Sequence, residues 1–200
     1  MTEQIFFQAG AERLEGILEM NSREKGIVIT HPHPLYGCSM DDAVVESIAR
    51  ACRAKDYSLL KFNFRGVGGS SGRYENGIGE RADVCAAVSC LQARGVINIS
   101  LAGYSFGTFV NVGAVRGGAA VEKLILVSPP IALMDFGVPA PLPALKLIVT
   151  GSHDYIAPST LIEKVLPQWN PEAKLEIIAG ADHFYAGYWQ ALTSRLLSYV

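Results

Sequence analysis

Along almost the whole chain, short runs of apolar and β-branched residues alternate with longer segments in which apolar positions recur every three or four residues. Strand-period and helix-period patterns in alternation predict an α/β protein with a mostly parallel central sheet and helices on both faces. Two short runs open the chain, near Ile5 to Gln8 and Leu14 to Met20, joined through Ala9-Gly10-Ala11. They read as an antiparallel hairpin at the N-terminal edge of the sheet. Gly26 to Thr30 (GIVIT) is then an unbroken β-branched run, as a strand buried on both faces requires. From about Asp41 to Lys55, Ala43, Val44, Ile48, Ala51 and Cys52 fall on one stripe of a helix.

Leu59 to Phe64 reads as the next strand, followed by a Gly- and Ser-rich loop from Arg65 to Gly72. A helix from about Glu80 to Arg94 stops at Gly95, a natural C′ residue. Strand Ile99 to Gly103 runs straight into a helix that continues to about Val115. Strands Lys123 to Val127 and Leu145 to Thr150 follow, separated by the irregular, Pro-rich stretch Ile131 to Ala144. A helix after Pro158, a strand Lys174 to Ile178, a loop Ala179 to Phe184 and a C-terminal helix to Val200 complete the pattern. No repeat or linker interrupts it.

Composition narrows the reading. A chain of 200 residues favours a single domain spanning 1–200, and 50% hydrophobic with 18% charged residues suits a packed core. Lys and Arg total 17 against 19 for Asp and Glu, so there is no basic footprint for nucleic acid, and a small or neutral partner is expected. No apolar run approaches the ~20 residues that span a bilayer. Glu3 and Glu12 stand where a signal peptide would need basic and then apolar residues, so the expected location is the cytoplasm, with no membrane partner. Cys38, Cys52, Cys85 and Cys90 lack C-x-x-C spacing and read as free thiols, mostly buried.

The chemistry begins at Gly103-Tyr104-Ser105-Phe106-Gly107, which matches G-x-S-x-G, a strained strand-to-helix turn that exposes a serine. Gly68-Gly69-Ser70-Ser71-Gly72 matches as well. Only the copy at Ser105 has a strand directly before it and a helix pattern directly after, so Ser105 is the candidate nucleophile and Ser70 a loop residue. A serine hydroxyl needs a base, best supplied by histidine. His183 follows the last strand, and open α/β sheets gather their sites at the C-terminal strand ends. Asp154, just past strand Leu145 to Thr150, is the candidate acid that orients it. Asp182 reads as a cap, Asp135 as a weaker rival acid, and His153 as a solvated neighbour.

An oxyanion needs two N–H donors. One is the Phe106 N–H at the start of its helix, and the other is sought in Thr30-His31-Pro32-His33-Pro34-Leu35-Tyr36-Gly37. The prolines have no N–H, which leaves Leu35 or Tyr36. His31 and His33 lack a third nearby ligand, and Gly66 to Gly69 lacks the Lys-Ser/Thr pair of a phosphate loop, so no metal and no cofactor are expected.

HPHPLYG at His31 to Gly37, FNFRGVGGSSG at Phe62 to Gly72, GYSFG at Gly103 to Gly107, and the pair Asp154 and His183 together resemble the α/β-hydrolase superfamily over essentially the whole chain. The resemblance is to a small, lidless bacterial hydrolase group related to dienelactone hydrolase. It departs at Cys38, where that group usually has a second glycine, and at Ser105, where dienelactone hydrolase itself has cysteine. The resemblance implies a serine hydrolase of carboxylic esters or thioesters acting through Ser105, His183 and Asp154. With only a short loop where relatives insert a cap domain, it also implies an open site rimmed by Tyr36, Phe106, Met134, Phe136, Phe184 and Tyr185. The same residues would suit a peptidase or acyltransferase, or a catalytically idle binding protein on the hydrolase fold.

Overall fold

A computed structural model of the chain describes residues 2–200. The strands are β1 (Thr2–Ala9), β2 (Glu12–Glu19), β3 (Lys25–Thr30), β4 (Ser58–Phe62), β5 (Asn98–Tyr104), β6 (Lys123–Val127), β7 (Leu145–Gly151) and β8 (Lys174–Ile178). They form one sheet in the order β1-β2-β4-β3-β5-β6-β7-β8. β2 runs antiparallel to both β1 and β4, and every pairing from β4 through β8 is parallel. The turn between β1 and β2 passes through Gly10 at φ 64°, a conformation that costs glycine nothing. The β/α alternation and the edge hairpin are therefore as the hydrophobic pattern predicts.

The helices are α1 (Ala43–Arg53), α2 (Glu80–Gln92), α3 (Phe106–Arg116), α4 (Ser159–Trp169) and α5 (Trp189–Leu196). Alternate residues of the central strands feed two cores. Val28, Leu101, Leu124, Leu126 and Ile148 pack with Val84, Val88, Val110 and Ile162 of α2, α3 and α4. Ile27, Ile29, Ala102, Ile125, Val127 and Val149 pack on the other face with Val44, Val45, Ile48, Leu192 and Leu196 of α1 and α5. This period of two explains why those strands read as continuous apolar runs, since both faces are covered. Each fully buried aliphatic side chain contributes about 1.5–3 kcal/mol.

Local capping sets where the elements end. α1 starts at Ala43 rather than Asp41 because the Asp42 carboxylate accepts the Val44 N–H at 2.8 Å. β4 stops at Phe62, two residues early, because the Asn63 N–H turns to Glu15 O and the Phe64 N–H to the His31 ring. α5 stops at Leu196, short of Val200. The loop after β4 is tied down by Arg65, whose guanidinium reaches the fully buried Asp83 at 2.7 Å and Glu75 at 2.6 Å. Residues 128–144 join β6 to β7 without a cap domain. Among the four thiols, all free, Cys52 and Cys90 are buried but Cys38 is half-buried and Cys85 exposed. The expectation of mostly buried cysteines thus holds for two, because Cys85 falls on the outer face of α2.

Candidate active site

β5 delivers Ser105 to the C-terminal edge of the sheet. The chain reverses there with Ser105 at φ 51° and ψ −119°, a strained conformation for a residue with a Cβ. Neighbouring hydrogen bonds hold it. The Ser105 N–H donates to Val127 O at 2.9 Å, and the Thr108 N–H and Oγ1 both donate to Ser105 O, at 2.9 and 2.6 Å. The flanking glycines are required by contact. A Cβ on Gly103 would lie 2.5 Å from Asn111 Nδ2 and from Thr30 Oγ1, and one on Gly107 would lie 2.5 Å from Thr30 Oγ1 and 2.8 Å from His31 O. The pattern G-x-S-x-G is here the condition for α3 to pack directly onto β3.

Ser105, His183 and Asp154 are brought together in one line. Ser105 Oγ lies 2.9 Å from His183 Nε2, and His183 Nδ1 lies 2.9 and 3.0 Å from the two Asp154 oxygens. Asp154 follows β7 and is 3% exposed. Its Oδ1 accepts the N–H groups of Ile156 at 2.9 Å and Ala157 at 2.7 Å, which aims the carboxylate at the ring. Burial alone would raise its pKa. The His183 hydrogen bond and charge, the Ser128 hydroxyl and the Ala157 N–H outweigh that and hold the carboxyl below its ordinary value. The loop carrying His183 is anchored by the Tyr104 hydroxyl, which donates to His183 O at 2.8 Å.

The loop after β3 differs from expectation. Pro34–Tyr36 forms a 3₁₀ turn capped by His33. The Leu35 N–H donates to His33 Nδ1 at 3.3 Å and the Tyr36 N–H to His33 O at 3.2 Å, so neither candidate for the second oxyanion donor is free. The His33 N–H itself makes no hydrogen bond among the described residues, and neither does that of Phe106. His33 lines the site with Phe106, their rings 4.9 Å apart; its place between two prolines in the sequence gives no sign that its N–H stays free. Its Nδ1 accepts from Leu35, which leaves the ring proton on Nε2, 3.2 Å from the Tyr74 hydroxyl. His31 sits apart from this site, in the core. Its Nδ1 donates to Pro32 O at 2.7 Å and its Nε2 accepts from Phe64 N at 3.1 Å, so both ring nitrogens are spoken for. Burial pushes its pKa down to about 4.

Ser105 and His183 open into a cavity of about 550 Å³ with mostly apolar walls, among them Tyr36, Phe106, Leu133, Met134, Ile156 and Phe184. Two expected rim residues lie elsewhere. Phe136 is buried between the rings of Phe109 and Trp169 and does not line this cavity. Tyr185 is fully buried, its backbone at φ 55° and its hydroxyl 2.7 Å from Ser128 Oγ, because the turn sends alternate residues to opposite sides and only Phe184 faces out. The rival residues have other roles. Ser70 Oγ donates to Asn63 O and accepts from Glu15 N, Asp182 accepts the N–H groups of Phe184 and Tyr185, and Asp135 accepts that of Gly137.

Comparison with known proteins agrees with this architecture. No family model matches the chain. It is 31% identical over 194 residues to an uncharacterised protein of Rickettsia prowazekii, a match covering 91% of this chain and 82% of the relative. An α/β serine hydrolase homologue from Coxiella burnetii superposes with a TM-score of 0.90 at 31% identity, over 99% of this chain and 97% of that one. A serine hydrolase without a lid from Xanthomonas campestris gives 0.89 at 27% identity, over 98% and 92%. No helix among the described residues is long and apolar enough to cross a membrane. With a relative of known fold matched at that identity over nearly its full length, the chain belongs to the α/β-hydrolase superfamily and is a hydrolase built on that fold.

Proposed function

We propose that this protein is a serine hydrolase that cleaves carboxylic esters or thioesters through a covalent acyl-enzyme. The observation that carries the reading is the line of hydrogen bonds from Ser105 through His183 to Asp154, ending at the floor of an apolar cavity. Ser105 Oγ attacks the acyl carbon while His183 Nε2 takes its proton, and Asp154 stabilises the imidazolium through the Nδ1–H bond. The tetrahedral oxyanion is received by the N–H of Phe106 and the N–H of His33, neither of which has a hydrogen-bond partner among the described residues. His183 then protonates the departing alkoxide or thiolate. A water molecule, deprotonated by His183, attacks the acyl carbon and releases the acid, restoring Ser105. These steps are carried by side chains and backbone N–H groups of this chain, and its small-molecule substrate enters directly from solvent.

The deciding experiment is turnover of a panel of short- and long-acyl esters and thioesters with the Ser105→Ala protein as blank. The expected loss in kcat is about 10⁶-fold. Covalent labelling of Ser105 by a fluorophosphonate under native conditions supports the enzyme over an idle binding protein. Unchanged ester turnover in Ser105→Ala, or no labelling and no turnover in the parent, would overturn the proposal.

A further inference from the structure

The α1 side of the active-site cavity holds a carboxylate without a cationic partner. Asp42 lines the cavity beside Cys38 and Tyr104, and no Lys, Arg or second acidic residue shares that lining. The contrast with its neighbour is informative. Asp41 is largely exposed and pairs with Lys61 at 3.2 Å, whereas Asp42 is in none of the ion pairs among the described residues. Capping α1 does not exhaust it. Oδ1 accepts the Val44 N–H, but an ionised carboxylate has about four acceptor positions. Burial raises its pKa, and the Val44 and Val45 N–H groups and the His183 charge only partly offset this. A half-buried negative charge with no ion-pair partner attracts a cation from a ligand. The same cavity is lined by the rings of Tyr36, Tyr104 and Phe184, whose faces also favour cations.

We infer that Asp42 is a specificity residue of this cavity, receiving an alkylammonium group of the substrate and turning away esters that carry a carboxylate there. The inference places this group within the site of the proposed ester hydrolysis and rests on that reading for turnover. For binding it stands alone. Calorimetry on the Ser105→Ala protein at about pH 8, where carboxylates are ionised, therefore compares an acylcholine with its neutral isostere carrying carbon in place of the ammonium nitrogen. The charged ester is expected to bind about tenfold more tightly, the scale of one charge pair at a partly solvated site, and a hemisuccinate ester more weakly than either. In Ser105→Ala/Asp42→Asn the preference falls to near one. Asn keeps the helix cap, and Asp42→Ser, also a capping residue, serves should the Asn variant melt early. Equal affinity for the two esters, a preference that survives both Asp42 variants, or binding of neither ester overturns the inference. Absence of turnover in the parent protein counts against ester hydrolysis alone, because the binding ratio is read without it.

Discussion

Replacing Asp154 by Asn changes a single atom, and the surroundings dictate how the new side chain must sit. Oδ1 of Asp154 accepts two backbone N–H groups, from Ile156 at 2.9 Å and Ala157 at 2.7 Å, and only an oxygen can occupy that position. The amide nitrogen is thereby forced into the Oδ2 position, 2.9 Å from His183 Nδ1. A donor there obliges Nδ1 to accept, so the ring proton moves to Nε2, where it faces Ser105 Oγ and cannot take the serine's proton. The substitution removes the base while leaving every heavy atom in place. The expected cost in kcat is about 10⁴-fold, the size of effect a wrong imidazole tautomer has in other serine hydrolases. Fluorophosphonate labelling of Ser105 should slow by a similar factor. Asp154→Ala differs, since it strands the two N–H groups and costs about 1–3 kcal/mol of stability for each that stays dry. The measurements are ester turnover, labelling rate and thermal melting for both variants. An Asn variant within tenfold of the parent rate, with an unchanged melting temperature, would show that His183 is not held by Asp154 in the manner described.

Three further outcomes follow from the packing. His31 is neutral and buried, with a pKa of about 4 against 6.5 when exposed, so the unfolded chain binds the extra proton between those values. Its contribution is fully present above about pH 6.5 and is lost as pH falls towards 4, a loss of about 3 kcal/mol; urea unfolding of His31→Gln should show a flatter slope over that window, and an identical slope would refute the assignment. Arg65→Ala leaves Asp83 buried without its cation and should destabilise by about 3–5 kcal/mol in urea, whereas an exposed-pair cost below about 1 kcal/mol would contradict the burial described. Gly107→Ala drives a methyl group against Thr30 and the His31 carbonyl, and should cost about 1–3 kcal/mol together with a fall in kcat as Phe106 N–H is displaced; full activity in that variant would mean the close packing of α3 on β3 is not required.

Much of this is legible in the sequence. The apolar runs of β3, β5, β6 and β7 declare themselves because both faces of each strand are covered, and the stripe of α1 because one face is. Ser105 stands out from Ser70 for a local reason, the direct passage from strand to helix. What could not be read depends on how the chain folds back on itself. Phe184 and Tyr185 are adjacent aromatics in one loop, and only the positive φ of Tyr185 and its bond to Ser128 send one to solvent and the other to the core. Likewise, Asp41 and Asp42 are the same residue type at consecutive positions, yet one meets Lys61 and the other the cavity. The 3₁₀ turn at Pro34–Tyr36 consumes the N–H groups of Leu35 and Tyr36, the two that the sequence offers for the oxyanion. Short turns of this kind carry no periodicity to read.

The hydroxyl of Tyr104 that holds His183 O belongs to the residue immediately before Ser105. One strand thus serves as the common mount for Ser105 and the His183 backbone, while Tyr36, Leu133 and Phe184 stand exposed at the mouth. In the proposed reaction a site mounted this way needs no closing step. Its rate should follow chemistry and encounter alone, with no lag on mixing. In the proposed reaction, bulk water would reach an acylated Ser105 through the same open mouth as a competing alcohol, which favours hydrolysis over transfer.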